Sequence, residues 1–235
     1  APIYRVVMRL LSLFTGGKDS TLSVELAREA GHEIALLVTV RSLERDSWMF
    51  HTSCVGIQHL QAEAMGIDHE YIDVSGRKEI EVQELYTVLK GLVKEYGVDG
   101  LLTGGLASQY QKSRVEWLAK NLSIQHIAPC WGMEPGEVMR TVLKRGYVVL
   151  MVAVSAYGLG PEWLGRRLDS KAVEELIGLS ERYGFNLAGE GGEYETLVQD
   201  TPFFRYTLRV EAEPVWLGDR GYLRLKEASL TSKIP

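Results

Sequence analysis

Short apolar runs alternate with stretches of helical periodicity through the first half of the chain. The apolar runs predict five strands, at 8–14, 34–40, 70–74, 100–103 and 124–128. Between them, apolar positions spaced three and four residues apart predict helices at 20–30, 55–65, 80–96 and 108–121. Strands that alternate with helices in this way are typical of βαβ units with right-handed crossovers. The first half is therefore predicted to be an α/β domain built on a parallel sheet.

The pattern changes after residue 128, where Pro129 follows the fifth predicted strand. Beyond it the sequence predicts helices at 135–144 and 168–183, a strand at 147–154, and two strands within 206–225 that join at 218–221. We therefore predict two domains: residues 1–128 form the parallel-sheet domain, and residues 129–235 form a smaller α+β domain.

Composition narrows the class of protein. The chain has 235 residues, 46% of them hydrophobic, which is enough to bury a sizeable core. Its net charge of −5 disfavours a nucleic acid as the partner. Cys54 and Cys130 lie far apart, which indicates neither a zinc site nor a disulfide framework and favours a reducing, cytoplasmic compartment. No apolar run approaches the roughly 20 residues that cross a bilayer, so no membrane association is expected.

The segment T-G-G-K-D-S at residues 15–20, here called the TGGKDS segment, has the character of an anion site. It follows the first strand and opens a helix, and ligands of open α/β sheets bind at the carboxyl ends of strands. Its glycines allow close approach, the helix N-terminus offers free N–H groups, and Lys18 adds a positive charge. Thr15 and Ser20 add hydroxyl groups. Asp19 would repel a phosphate unless it caps the helix or meets Mg²⁺.

The spacing of the TGGKDS segment excludes the two commonest phosphate loops. No glycine lies five residues before Gly17, as G-x-x-x-x-G-K-[ST] requires, and G-x-G-x-x-G does not fit either. A tight turn with an incidental lysine is the alternative. We favour a phosphate-binding loop, because Thr, Lys, Asp and Ser occur together with the glycines at the end of a strand.

Three further features follow other predicted strands. Gly104, beside Gly105, ends the fourth strand and either admits a ligand or simply allows a helix to begin. Arg114 lies in the next predicted helix. It either faces solvent or binds phosphate through two hydrogen bonds of its guanidinium group, and we favour phosphate binding. His51 follows the second strand, and its residue type fits packing and catalysis equally well.

Residues 189–196, G-E-G-G-E-Y-E-T, form an acidic segment. Its carboxylates Glu190, Glu193 and Glu195 repel one another unless they are solvated or a cation lies between them. The segment is therefore either an exposed acidic turn or a site for Mg²⁺, for ammonium or for a general base.

The TGGKDS segment resembles the S-G-G-x-D-S motif of the PP-loop ATP pyrophosphatases, with threonine in place of the usual first serine. That resemblance implies a HUP-like, Rossmann-type sheet domain that splits ATP into AMP and pyrophosphate. ATP and Mg²⁺ are the expected cofactors, with Asp19 as the candidate ligand of Mg²⁺ and the acidic segment at residues 189–196 as the alternative. The resemblance also implies that the adenine lies near Val38 and Thr39. The expected ATP-binding residues are Thr15, Gly16, Gly17, Lys18, Asp19, Ser20, Val38, Thr39, Gly104 and Arg114.

The acidic segment resembles the motif of one PP-loop branch, the diphthine–ammonia ligases, and the similarity covers nearly the whole chain. M-F-H-T at 49–52, Y-Q at 110–111, A-P-C-W at 128–131 and the stretch 158–166 also resemble this branch. Gln109 departs from it, because the family often has aspartate before the Tyr-Gln pair.

Such enzymes use ATP and ammonium to amidate the carboxylate of diphthine, a modified histidine on a translation elongation factor. The resemblance implies an acyl-adenylate, with Lys18 holding the departing pyrophosphate. Glu190, Glu193 or Glu195 would bind ammonium and take its proton, and His51 is a further catalytic candidate. Two alternatives are a PP-loop enzyme that modifies tRNA and a non-catalytic sensor of adenine nucleotides. The tail strands also allow a homodimer.

Overall fold

The computed structural model describes residues 6–43, 55–78, 80–105 and 109–234. The first half contains five strands: β1 (Arg9–Leu13), β2 (Glu33–Ser42), β3 (Asp68–Val74), β4 (Gly100–Leu102) and β5 (Gln125–Ile127). Its helices are α1 (Lys18–Glu29), α2 (Ile57–Met65), α3 (Glu81–Tyr96) and α4 (Gln109–Asn121).

The second half contains helices α5 (Pro135–Lys144) and α6 (Ser170–Tyr183), with a 3₁₀ turn at Pro161–Trp163. Its strands are β6 (Val148–Val154), β7 (Tyr194–Asp200), β8 (Tyr206–Trp216) and β9 (Gly221–Ser232).

All five strands of the first half form one parallel sheet in the order β3-β2-β1-β4-β5. This confirms the predicted α/β architecture. The strand order reverses between β1 and β4, and such a switch point leaves a crevice at the carboxyl ends of the two strands. The TGGKDS segment and the Gly104–Gly105 pair, which follow β1 and β4, therefore meet there.

Alternating apolar side chains cover both faces of the parallel sheet, as a doubly wound fold requires. One face packs against α3 and α4 through Leu11, Leu36, Leu89, Leu101 and Leu118. The other face packs against α1 and α2 and continues into the second half through Leu10, Leu22, Met65, Met139, Met151 and Trp163. The two halves of the chain thus share one continuous hydrophobic core.

The second half forms an antiparallel sheet in the order β7-β6-β9-β8. β7 lies at its edge, and there the backbone N–H of Val198 donates to the carbonyl of Gly16 at 2.9 Å. This contact covers part of an otherwise open edge and brings the sheet against the TGGKDS segment.

Three strands differ from the sequence prediction. β7 includes Glu195, which the sequence placed in an acidic turn, and β9 extends past the predicted end to Ser232. β2 continues to Ser42, because Arg41 pairs with Asp73 on the neighbouring strand. Within the described ranges, no helix is both long and apolar enough to span a bilayer.

Candidate functional site

A cavity of about 300 Å³ opens at the switch point of the parallel sheet. Both halves of the chain contribute to its walls. Its lining includes Thr15, Gly17, Lys18, Asp19, Ser20, Thr103, Gly104, Gly105, Glu190, Tyr194, Glu195 and Thr196. Most of the residues that the sequence predicts for an anion site therefore surround one space, with two of the three predicted glutamates on the same walls.

The TGGKDS segment is folded into a turn that exposes the start of α1. Gly16 adopts a φ of +83°, which disfavours any side chain, and α1 begins after Gly17, which cannot cap the helix with a side chain. The Ser20 hydroxyl accepts from the Thr15 N–H at 3.2 Å and lies 3.1 Å from the Thr15 hydroxyl. The N–H groups of the first helical turn have no partners within the helix, and their positive dipole end attracts anions.

The glycine pair after β4 lets that strand end pack directly on the first turn of α1. A Cβ atom at Gly104 would lie 2.7 Å from the backbone nitrogen of Ser20. A Cβ atom at Gly105 would lie 3.2 Å from Cγ of Asp19. These glycines therefore have a packing function in addition to lining the cavity.

Lys18 is a buried cation that connects the two halves of the chain. It is only 2% exposed, and its Nζ donates to Asp19 Oδ2 at 2.8 Å and to the carbonyl of Ala188 at 2.6 Å. The ring of Tyr194 lies 5.4 Å away. Burial works to lower the pKa of Lys18, but the charge of Asp19 and the hydrogen bond to it, together with the nearby Tyr194 and Glu190, outweigh burial and raise it. Lys18 therefore stays protonated at neutral pH.

The strand β7 fixes the backbone at the start of α1. The Thr196 hydroxyl accepts from the backbone N–H of Lys18 at 3.1 Å. Gly17 is close enough to β7 that a Cβ atom there would lie 3.2 Å from the carbonyl oxygen of Thr196. Nothing in the sequence motifs indicates this role for Thr196, because its partner is a backbone atom of a distant segment.

The glutamate turn, residues 189–193, is tied to the end of β6. The Ser155 hydroxyl donates to the carbonyl of Gly192 at 2.6 Å, and the Ser155 N–H donates to the carbonyl of Glu193 at 2.9 Å. Gly189 adopts a φ of +72°, and a Cβ atom there would meet the Tyr194 ring at 2.7 Å. The turn is thus held by fixed contacts and is more than a solvated acidic loop.

The carboxylates fall into two electrostatic environments. Burial, Asp19 and Glu193 raise the pKa of Glu190, while Lys18 opposes the rise. Burial alone raises the pKa of Glu195 to about 6. Oxygen atoms Asp19 Oδ1, Glu193 Oε2 and Glu195 Oε2 are shielded from solvent and have no hydrogen-bond partner among the described residues. Glu190 therefore belongs to the Lys18–Asp19 group, whereas Glu195 stands apart from that group.

The donor set fits a magnesium ion that is held partly by substrate. Among the residues that the structure describes, no group of three His, Cys, Asp or Glu side chains could bind a metal by itself. Mg²⁺ commonly uses only one or two carboxylates, with water and substrate phosphates completing its shell. The unpartnered Asp19 Oδ1 on the cavity wall suits that arrangement.

Several predicted residues are not brought to this cavity. Val38 and Thr39 lie inside β2, which continues past them, and neither lines the cavity. The Thr39 hydroxyl instead donates to the Phe14 carbonyl at 2.7 Å. Arg114 stacks on the exposed Tyr110 ring and does not line the cavity. The next residue on α4, Val115, does line it. His51 lies outside the described residues.

Cys130 has the properties of a structural thiol. It is buried, and its Sγ lies 3.4 Å from the Ser23 hydroxyl. Burial raises its pKa, which keeps the thiol protonated and poorly nucleophilic. A tRNA-thiolating enzyme would need a reactive cysteine, so this thiol does not support that alternative.

A doubly wound sheet with a glycine-rich helix entry and a cavity at its switch point defines an α/β protein whose cavity lies where such sheets bind ligands. Residues 8–126 match the family described as diphthamide synthase N-terminal domain, and residues 134–231 match the diphthamide synthase C-terminal domain. The chain belongs to the diphthamide synthase family.

Three relatives of this chain share the same protein name. The chain is 35% identical to "Diphthine--ammonia ligase" of Danio rerio, over 87% of each chain. It is 32% identical to the protein of that name from Homo sapiens, over 97% of this chain and 94% of the relative. The Bos taurus relative, with the same name, is 31% identical over the same shares of the two chains.

Proposed function

We propose that this protein is an ATP-dependent ligase that uses ammonium to amidate diphthine on a translation elongation factor. The products are diphthamide, AMP and pyrophosphate. The membership of both halves in one family, together with relatives named diphthine–ammonia ligase, supports this substrate. The single structural observation that carries the proposal is one cavity whose lining combines the start of α1 with Glu190 and Glu195 from the second half of the chain.

The two halves have different tasks in this proposal. Residues 1–128 bind the nucleotide, and residues 129–235 supply the carboxylates and the surface for the protein substrate. The triphosphate lies against the first turn of α1, where N–H groups, Lys18 and the hydroxyls of Thr15 and Ser20 stabilise its charge. Asp19 would hold Mg²⁺ against the phosphates, and the ion would offset the repulsion between this carboxylate and the anion.

Adenylation is the first step. The diphthine carboxylate attacks the α-phosphorus of ATP, the bond to the bridging oxygen breaks, and pyrophosphate leaves. Negative charge builds on the leaving oxygens, so the fixed N–H donors of α1 and the ammonium of Lys18 stabilise the transition state more than the ground state. Because Lys18 is already fixed by Asp19 and Ala188, it needs little reorganisation at that moment.

Amidation is the second step. Ammonium must lose a proton before its nitrogen attacks the acyl-adenylate and expels AMP. We propose Glu195 as the group that binds ammonium and accepts the proton. Its Oε2 is buried and unpartnered within the described ranges, and burial, without a contribution from Lys18, raises the pKa of this carboxylate. Glu190 and Glu193 then shape the negative field around Lys18 and Asp19, and His51 remains a proposed catalytic residue from the sequence.

The test uses the purified protein, ATP, isotopically labelled ammonium and an elongation factor that carries diphthine. We expect label in the acceptor, with AMP and pyrophosphate formed in equal amounts. Lys18→Ala should abolish both products, whereas Glu195→Gln should still form AMP but yield little labelled acceptor. AMP formation without any transfer of label by the wild-type protein would contradict the proposed function.

A further inference from the structure

Two fully buried glutamines lie behind the TGGKDS segment. Gln58 and Gln61 are both 0% exposed and stand three residues apart on α2, on one face of that helix. A buried amide is costly unless its donors and acceptors are satisfied. Two of them on one helical face therefore require an explanation beyond packing.

Both side chains donate to backbone carbonyls of the segment. Gln58 Nε2 donates to the carbonyl of Thr15 at 3.3 Å, and its Oε1 accepts from the Tyr71 hydroxyl at 3.0 Å. Gln61 Nε2 donates to the carbonyl of Gly16 at 2.9 Å and to that of Val198 at 2.8 Å. Gln61 thus joins α2, the segment and β7 through one amide group.

These bonds fix the direction of two peptide groups, and at the Gly16 carbonyl the Val198 N–H contributes a second bond at 2.9 Å. In a planar trans peptide the C=O and the following N–H point in opposite directions. Drawing the carbonyls of Thr15 and Gly16 toward α2 therefore turns the N–H groups of Gly16 and Gly17 away from α2, and the Gly17 N–H there donates to the Thr15 hydroxyl at 3.2 Å. Gly16 can adopt the required positive φ. A Cβ atom at this position would lie 2.3 Å from Gln61 Oε1, so only glycine leaves room for the Gln61 side chain.

We infer that Gln58 and Gln61 are positioning residues for the phosphate part of the nucleotide. They hold the carbonyls of Thr15 and Gly16 away from the anion, so that N–H groups and not carbonyl oxygens meet the phosphate. A carbonyl turned toward the phosphate would repel it, and donors that are already oriented need no reorganisation on binding. This inference rests on the proposed function, since it assumes that the segment binds a phosphate chain.

The experiment measures the affinity of inorganic pyrophosphate by calorimetry, beside KM for ATP and kcat for AMP formation. Gln61→Met keeps the length of the side chain but removes the donor, and we expect about tenfold weaker pyrophosphate binding. Gln58→Met removes one longer bond and should weaken binding severalfold. Leu60→Ala on the same helix is the matched control, because it lowers stability through packing without touching the segment.

A merely structural role makes a different prediction from a positioning role. If Gln61→Met lowers the unfolding free energy like Leu60→Ala but leaves pyrophosphate affinity and KM unchanged in the folded protein, the inference is wrong. If Gln61→Met does not fold, an unchanged affinity in Gln58→Met overturns it. Failure of the wild-type protein to bind pyrophosphate would instead contradict the proposed function.

Discussion

Replacement of Glu195 by glutamine tests whether the Glu195 carboxylate is buried and has a raised pKa. Burial raises the pKa of this carboxylate from its ordinary value of 4.5 to about 6. Because the folded-state pKa is above the unfolded one, the charged form destabilises the folded protein. The contribution of Glu195 to stability is therefore fully present below about pH 4.5 and is lost as the pH rises through about 6.

The size of the effect follows from the two pKa values. A rise from 4.5 to about 6 corresponds to about 2 kcal/mol between the fully protonated and fully ionised states. About 1 kcal/mol of that change falls between about pH 5 and about pH 7.5. The wild-type protein should therefore gain about 1 kcal/mol relative to Glu195→Gln when the pH is lowered across this range.

Urea unfolding followed by circular dichroism at the two pH values measures this difference. Glu181→Gln is the matched control, since Glu181 is exposed on α6 and the same substitution there removes a carboxylate that does not line the cavity. If Glu195→Gln shows the same pH dependence as the wild-type protein, Glu195 is not a buried carboxylate with a raised pKa. Its assignment as the acceptor of the ammonium proton would then lose its physical basis.

Three further predictions concern other parts of the cavity. Lys18→Ala should lower the rate of AMP formation by about 100-fold or more, measured by chromatography of the nucleotides, because the departing pyrophosphate loses its fixed cation. Gly104→Ala should lower the unfolding free energy by about 1–3 kcal/mol, since its Cβ would overlap the backbone of Ser20, while Gly91→Ala in open space should not. Cys130→Ala should retain amidation activity. Loss of activity in this variant would instead support a reactive thiol, as a tRNA-thiolating enzyme needs.

The parallel sheet could be predicted because its evidence is local. Each central strand is a nearly continuous apolar run, and each crossover helix carries its own periodicity. The end of β2 was misplaced, since Arg41 looks like a loop residue until Asp73 on the next strand is known. Val38 and Thr39, which the resemblance places near the adenine, lie within this longer strand, and their role at the ligand stays a prediction.

The two motifs were recognisable, but the contacts that join them were not. Lys18 bonds to the backbone carbonyl of Ala188, and any residue type supplies a carbonyl. β7 was missed because Glu195 interrupts its apolar residues, and the strand is defined by its pairing with β6. Gln58 and Gln61 read as ordinary helix residues, and only the folded chain shows that both reach the TGGKDS segment.

A crystal structure of the protein with a non-hydrolysable ATP analogue and Mg²⁺ tests the central claim most directly. We expect the triphosphate to accept hydrogen bonds from the first-turn N–H groups of α1, with the α-phosphate between Lys18 and the wall that carries Glu195. A nucleotide bound elsewhere, with residues 15–20 making no contact to phosphate, would contradict the account.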